Sequence, residues 1–165
     1  MTPFQIRRAH EGDGPGFVAL VRALADFEKL PGPTDDAARR LLADAFGERP
    51  HYELLVAEQA GRIVAYAAFF HTYSTFLARP GLYLEDLFVH PDARGAGIAT
   101  ALMRELAAIA TQRGCGRFEW SVLDWNGAAQ RFYERLGARH IAAWQIYRLE
   151  GDEIAAVAGA RLRGC

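Results

Sequence analysis

Lysine is almost missing from this chain: of its 19 basic residues, Lys29 alone is a lysine and the rest are arginine. Beside the abundance of alanine this reads as coding-genome bias and carries no functional signal. Cysteine is scarce too, and Cys115 and Cys165 form no metal or redox spacing. In a reducing cytosol both stay thiols and structural bystanders. No long apolar run is present. The longest, residues 63–70, falls well short of the roughly 20 residues that span a bilayer, and Met1-Thr2-Pro3-Phe4 lacks the charged-then-apolar order of a signal peptide. A cytoplasmic protein is expected. Nor does one charge sign dominate: 19 basic against 20 acidic residues leave a net charge of -1, with no basic block to neutralise a phosphate backbone, so nucleic acid and membrane drop out as partners. Repeats and low-complexity tracts are absent. What is there is ordinary for a folded chain, 51% hydrophobic and 24% charged over 165 residues, and suits a single domain over 1–165.

Residues 4–8 alternate apolar and polar as a half-buried strand does. Phe17, Leu20, Val21, Leu24 and Phe27 then recur at three and four, an amphipathic helix closed by Pro31-Gly32-Pro33. Thr34 caps a second helix with Asp35 and Asp36 in its first turn and Gly47 at its end. Residues 52–58 and 63–72 read as an antiparallel hairpin turning at Gly61. A strand over 82–89 follows, interrupted by the adjacent carboxylates Glu85 and Asp86. Next come a helix with Ile98, Leu102, Leu106 and Ile109 on one face, a strand over 118–123, a short helix over 128–136, and a last strand over 141–149. The order β-α-α-β-β-β-α-β-α-β predicts an α/β fold: a mixed, mostly antiparallel central sheet of about six to seven strands flanked by about four helices. Residues 152–165 are left as a short helix or a frayed tail.

The most specific segment is Val89-His90-Pro91-Asp92-Ala93-Arg94-Gly95-Ala96-Gly97-Ile98-Ala99-Thr100, where a strand ends, two glycines turn the chain and a helix begins. Small residues let backbone amides approach a ligand, and the positive helix end favours phosphate oxygens. It matches neither a Walker A loop nor a dinucleotide fingerprint.

Arg94-x-x-Gly97-x-Ala99 resembles the Arg/Gln-x-x-Gly-x-Gly/Ala signature of the GNAT (Gcn5-related) N-acetyltransferases. Asn126, Ala129 and Phe132-Tyr133, with Gly137-Ala138 beyond them, resemble the second half of that family's acetyl-CoA site. More narrowly, Phe46-Gly47-Glu48-Arg49-Pro50, Leu82-Tyr83-Leu84-Glu85-Asp86 and Val122-Leu123-Asp124-Trp125-Asn126 are similar to the spermidine/spermine N1-acetyltransferase subfamily. Thr72-Tyr73-Ser74-Thr75-Phe76 is nearest its thialysine acetyltransferase branch. The resemblance implies acetyl-CoA as cosubstrate and acetyl transfer to a primary amine of a small molecule by direct attack in a ternary complex. It places the diphosphate on the amides of Arg94, Gly95, Ala96, Gly97, Ile98, Ala99 and Thr100, and pantetheine along Leu87, Phe88 and Val89. The Leu87 amide is then the oxyanion donor.

By the same resemblance Tyr133 is the general acid, and its phenol, with a reference pKa of about 10, is protonated at neutral pH. Asn126 hydrogen-bonds pantetheine, caps the following helix, or does both. An amine of pKa near 10 must lose a proton before attack. Glu85 is the candidate base, acting through a water, and Asp86 attracts the ammonium group. Neighbours on a strand point to opposite faces unless a bulge intervenes, so which of the two faces substrate stays open. Glu28 matches a position at the amine-binding mouth, and Phe76, standing where the diamine branch carries tryptophan, is counted with the acceptor site. Ser74 replaces an acidic residue of that branch, which weakens spermidine and spermine as preferred acceptors and suits a shorter or lysine-like amine. The five histidines show no metal-ligand spacing, and no metal is assigned. The resemblance implies a homodimer, to which Trp144, Ile146 and Tyr147 could contribute. A peptide amine as acceptor, and a sensor of the same fold that binds without turnover, are the competing readings.

Overall fold

The computed structural model describes residues 2–159; Cys165 lies outside the described residues. The described residues fall into two compact units that divide between Ser121 and Val122.

The first unit is one five-stranded sheet in the order β1-β2-β3-β4-β5 with three α-helices. Strand β1 (Phe4–Arg8) leads into α1 (Gly14–Glu28), whose Phe17, Val18 and Leu20 are buried. Lys29 terminates α1 in the left-handed region, at φ +58°, two residues before the expected Pro31. Helix α2 (Asp35–Phe46) begins where expected, the Thr34 hydroxyl accepting from the Ala37 amide at 3.2 Å. It stops at Gly47, where a Cβ would sit 2.5 Å from the Ala43 carbonyl oxygen.

Strands β2 (Glu53–Gln59) and β3 (Arg62–Ser74) form the predicted hairpin, with Ala60 and Gly61 both at positive φ in its two-residue turn. Strand β4 (Arg79–Val89) pairs antiparallel with β3, and α3 (Ile98–Gln112) carries the chain over to β5 (Arg117–Trp120), parallel to β4 as a helical crossover requires. On one sheet face Phe17 and Leu20 pack with Leu54, Val56, Tyr66, Ala68 and Phe88. Strand alternation turns the buried Leu55, Phe69, Leu82 and Leu84 to the opposite face, and α3 packs on the sheet with Ile98, Leu102 and Leu106 buried.

The second unit holds α4 (Gly127–Arg135) and α5 (Asp152–Gly159). Four sequence expectations are corrected. The sheet has five strands among the described residues, not six or seven, and the α-helices number five rather than about four. The strand expected over 118–123 ends at Trp120. Residues 141–149, expected as a last strand, form none; apolar and aromatic residues favour a strand only where a partner edge is available, and none of the described residues pairs with this segment. Its Trp144, Ile146 and Tyr147 stand exposed.

Candidate active site

Register along β3 and β4 decides what Glu85 and Asp86 do. Asp86 pairs with Ala68 while Leu84 pairs with Phe69, so Glu85 is an extra residue in β4, a β-bulge. The bulge separates the two carboxylates. Glu85 is exposed, whereas Asp86 is drawn in on the α1 side, where its Oδ2 accepts a 3.1 Å hydrogen bond from the Tyr66 phenol. Burial pushes the Asp86 carboxyl up to about 6; the Tyr66 hydrogen bond opposes this, and the charges of Glu85 and Glu28 add to it. Glu28 is itself raised by burial at the end of α1. Asp86 forms no ion pair among the described residues.

The same bulge marks where β4 parts from β5. Their pairing covers Gly81 to Leu84 against Arg117 to Trp120 and stops there. Beyond it β4 pairs only with β3. The His90 amide donates to the Val64 carbonyl at 2.9 Å, and antiparallel alternation therefore turns the Phe88 and Asp86 backbone toward β3 and that of Leu87 and Val89 toward the other side. Of the expected pantetheine contacts, Leu87 and Val89 offer backbone groups to a ligand strand, and the Phe88 amide is committed to the sheet.

The glycine loop fits a diphosphate. Gly95 and Gly97 hold φ +80° and +83°, with nothing within 4 Å of where a Cβ would be. Gly97 is the N-cap of α3 and has no side chain to cap it, so the amides of Ile98, Ala99 and Thr100 are left for an anion. The Arg94 side chain turns elsewhere: its guanidinium lies over the rings of Phe27, at 5.4 Å, and Phe88, at 5.9 Å, and Nε donates to the Val89 carbonyl at 3.1 Å. A groove of about 330 Å³ borders the loop at Asp92 to Ala96. A larger one of about 410 Å³, between α1 and the β2–β3 turn, contains none of the three carboxylates.

In the second unit, the Asn126 side chain caps α4 by accepting from the Ala129 amide at 3.1 Å. Gln130 ties the preceding loop through the Leu123 and Asp124 carbonyls. Tyr133 lies against Phe132, ring centroids 5.1 Å apart, and burial pushes its phenol up to about 12. Phe76 is 96% exposed in the β3–β4 turn. At 3.3 Å per residue along β4, it is about 20 Å from Asp86, so one copy of the chain does not bring them together. Sequence reasoning passed over two residues, Arg94 as a clasp on α1 and Tyr66 as the partner of Asp86. The second left a signal, a lone hydroxyl in the apolar run of residues 63–70. Among the described residues no three His, Cys, Asp or Glu side chains group as a metal site.

Residues 18–138 match the acetyltransferase (GNAT) family. Thialysine N-epsilon-acetyltransferase of Sus scrofa is 37% identical over 170 residues, covering 96% of this chain and 99% of that protein. L-ornithine N5-acetyltransferase of Arabidopsis thaliana is 37% identical over 158 residues, covering 95% of this chain and 62% of that protein. Among solved structures, an integron cassette protein from V. cholerae superposes with a TM-score of 0.83 at 26% identity, over 97% of this chain and 99% of the other. The chain belongs to the GNAT acetyltransferase family. It is an N-acetyltransferase, with the α/β fold of that family.

Proposed function

We propose that this N-acetyltransferase acts on the primary amine of a small, lysine-like amino acid or short diamine. The observation that carries the reading is Asp86: a half-buried carboxylate with no ion pair among the described residues, reinforced by Glu28 and Glu85, is a place for an ammonium group. Charge burial of this kind is costly unless a cation arrives to offset it. The relatives named for thialysine and ornithine, both amino acids with a side-chain amine, support the same class.

Bound acetyl-CoA supplies the activated acetyl group. Its diphosphate is held by the amides from Arg94 to Thr100, with pantetheine along the open edge at Leu87 and Val89 and a contact from Asn126. Asp86 and Glu28 draw the acceptor ammonium in, and Glu85, exposed on its bulge, takes a proton from it through a water. The Leu87 amide donates to the carbonyl oxygen as it gains negative charge. Tyr133 remains protonated at neutral pH and supplies a proton to sulfur. The chain works as a single domain in a cytoplasmic homodimer; exposed Trp144, Ile146 and Tyr147 support self-association.

The test is coenzyme A release from acetyl-CoA with thialysine, lysine, ornithine, putrescine, spermidine, spermine and a peptide with a free N-terminus. Turnover on the amino acids or putrescine ahead of spermine is expected. Turnover confined to the peptide, or tight acetyl-CoA binding with no acceptor used, overturns the reading.

A further inference from the structure

Tyr66 is fully buried within an apolar cluster, its ring edge-on to Phe17 at 5.0 Å and tilted against Phe88 at 6.5 Å. A phenol in such a place needs a partner for its hydroxyl, and this one donates to Asp86 at 3.1 Å. The contact joins adjacent strands at the bulge: Tyr66 is on β3, Asp86 on β4, and the pair Ala68–Asp86 is the last before the register shifts. The ring is locked by packing on both sides, so its hydroxyl is a fixed point in a part of β4 that has lost β5 as a neighbour.

We infer that Tyr66 is a positioning residue of the acceptor site, its rigid phenol occupying one oxygen of Asp86 so that the other faces the ammonium group of the substrate. The inference rests on the proposed role of Asp86. Because the hydroxyl donates, it also favours the ionised carboxylate, against burial and against the charges of Glu85 on β4 and Glu28 on α1. Tyr52, ahead of β2, donates its hydroxyl to the Leu41 carbonyl at 2.7 Å and not to Asp86; burial, then the charges of Asp44 and Asp86, push its phenol upward, which keeps it neutral.

The test is Tyr66→Phe, which keeps the packed ring and removes only the hydroxyl, beside Asp86→Asn. For wild type and Tyr66→Phe, the Asp86 carboxyl is titrated by carbon-13 NMR, and kcat and KM for the amine are measured from pH 5 to 9. The expected result is an Asp86 midpoint about one pH unit higher in Tyr66→Phe, the acidic limb of kcat/KM moving with it, and an amine KM raised about tenfold at pH 7 with a smaller change in kcat. An unmoved midpoint, or a loss equal at every pH, overturns the positioning role. If Asp86→Asn keeps the wild-type KM, it is the reading of Asp86 as ammonium anchor that fails. A drop in Asp86→Asn with no change in Tyr66→Phe refutes the role of Tyr66 alone.

Discussion

The guanidinium of Arg94 lies 5.4 Å from the ring centre of Phe27, so the loop that precedes α3 clasps the last turn of α1. Glu28 is the next residue along that turn. A side chain from the proposed donor-binding loop therefore holds in place a helix end that carries Glu28, a carboxylate proposed for the acceptor site.

Replacing Arg94 by Ala should loosen that helix end while leaving the loop amides in place. Loss of the ring contacts and of the hydrogen bond to Val89 is expected to lower kcat/KM for the amine about tenfold. Arg94→Lys should restore little, since a lysine cannot stack as a plane while donating to the carbonyl. Steady-state kinetics with the amine varied at saturating acetyl-CoA read the effect. An unchanged amine KM in Arg94→Ala would show the clasp to be idle.

Gly97→Ala should weaken donor binding by a backbone route. At φ +83° a Cβ has open space but an unfavourable conformation, a strain of about 1–2 kcal/mol that shifts the first turn of α3. Calorimetric titration with coenzyme A should show at least a fivefold weaker Kd, with the amine KM little changed.

Asp86→Asn should make the protein more stable at neutral pH while abolishing tight amine binding. With the folded carboxyl at about 6 against an ordinary 3.8, the unfolded chain ionises first, and stability falls as pH rises between those values. Above pH 6 the full penalty applies, and its removal is worth about 2 kcal/mol. Well below 3.8 the carboxyl is protonated in both states, so the gain should already be small at pH 4 and vanish below it. Thermal melts at pH 4 and pH 7.5 check this, and equal gains at both pH values would refute it.

Glu53 should behave in the opposite sense. Arg113 grips it through two hydrogen bonds, of 2.5 and 2.8 Å, and Arg8 pairs with it as well, which lowers its carboxyl to about 2. Its stabilisation is present above the ordinary value of 4.5 and is lost as pH falls through 2. Glu53→Gln should cost about 2 kcal/mol at pH 7, allowing for solvent screening, with amine kinetics unaltered. Urea melts at pH 7 and pH 2.5 should show the difference shrinking in acid.

Tyr133→Phe keeps the ring beside Phe132 and removes the proton. A fall in kcat of about 100-fold is expected if the phenol is the general acid; a loss below fivefold would assign the proton to another donor or to water.

Much of this was legible beforehand because local rules governed it. Thr34 and Gly47 bound α2 for the capping reasons their types suggest, and the glycines of the 94–100 loop occupy left-handed conformations other residues avoid. The fate of Glu85 and Asp86 was not legible. Adjacent strand residues alternate by default, and only the register against β3, set by hydrogen bonding across two strands, reveals the extra residue. The failure at 141–149 has the same root, since its apolar and aromatic residues say nothing about whether an edge is available. Tyr66 was hidden because its partner is 20 residues away in sequence.

The single lysine has a practical bearing on the chemistry. An enzyme that acetylates primary amines is exposed to its own activity wherever it displays one, and arginine is no acceptor of that kind. Among 165 residues the only side-chain amine is Lys29, the residue after Glu28, held exposed at the left-handed end of α1. Any side-chain self-acetylation is therefore confined to one position at the edge of the proposed acceptor site, where intact-protein mass spectrometry separates it from acetyl groups delivered to a free amine.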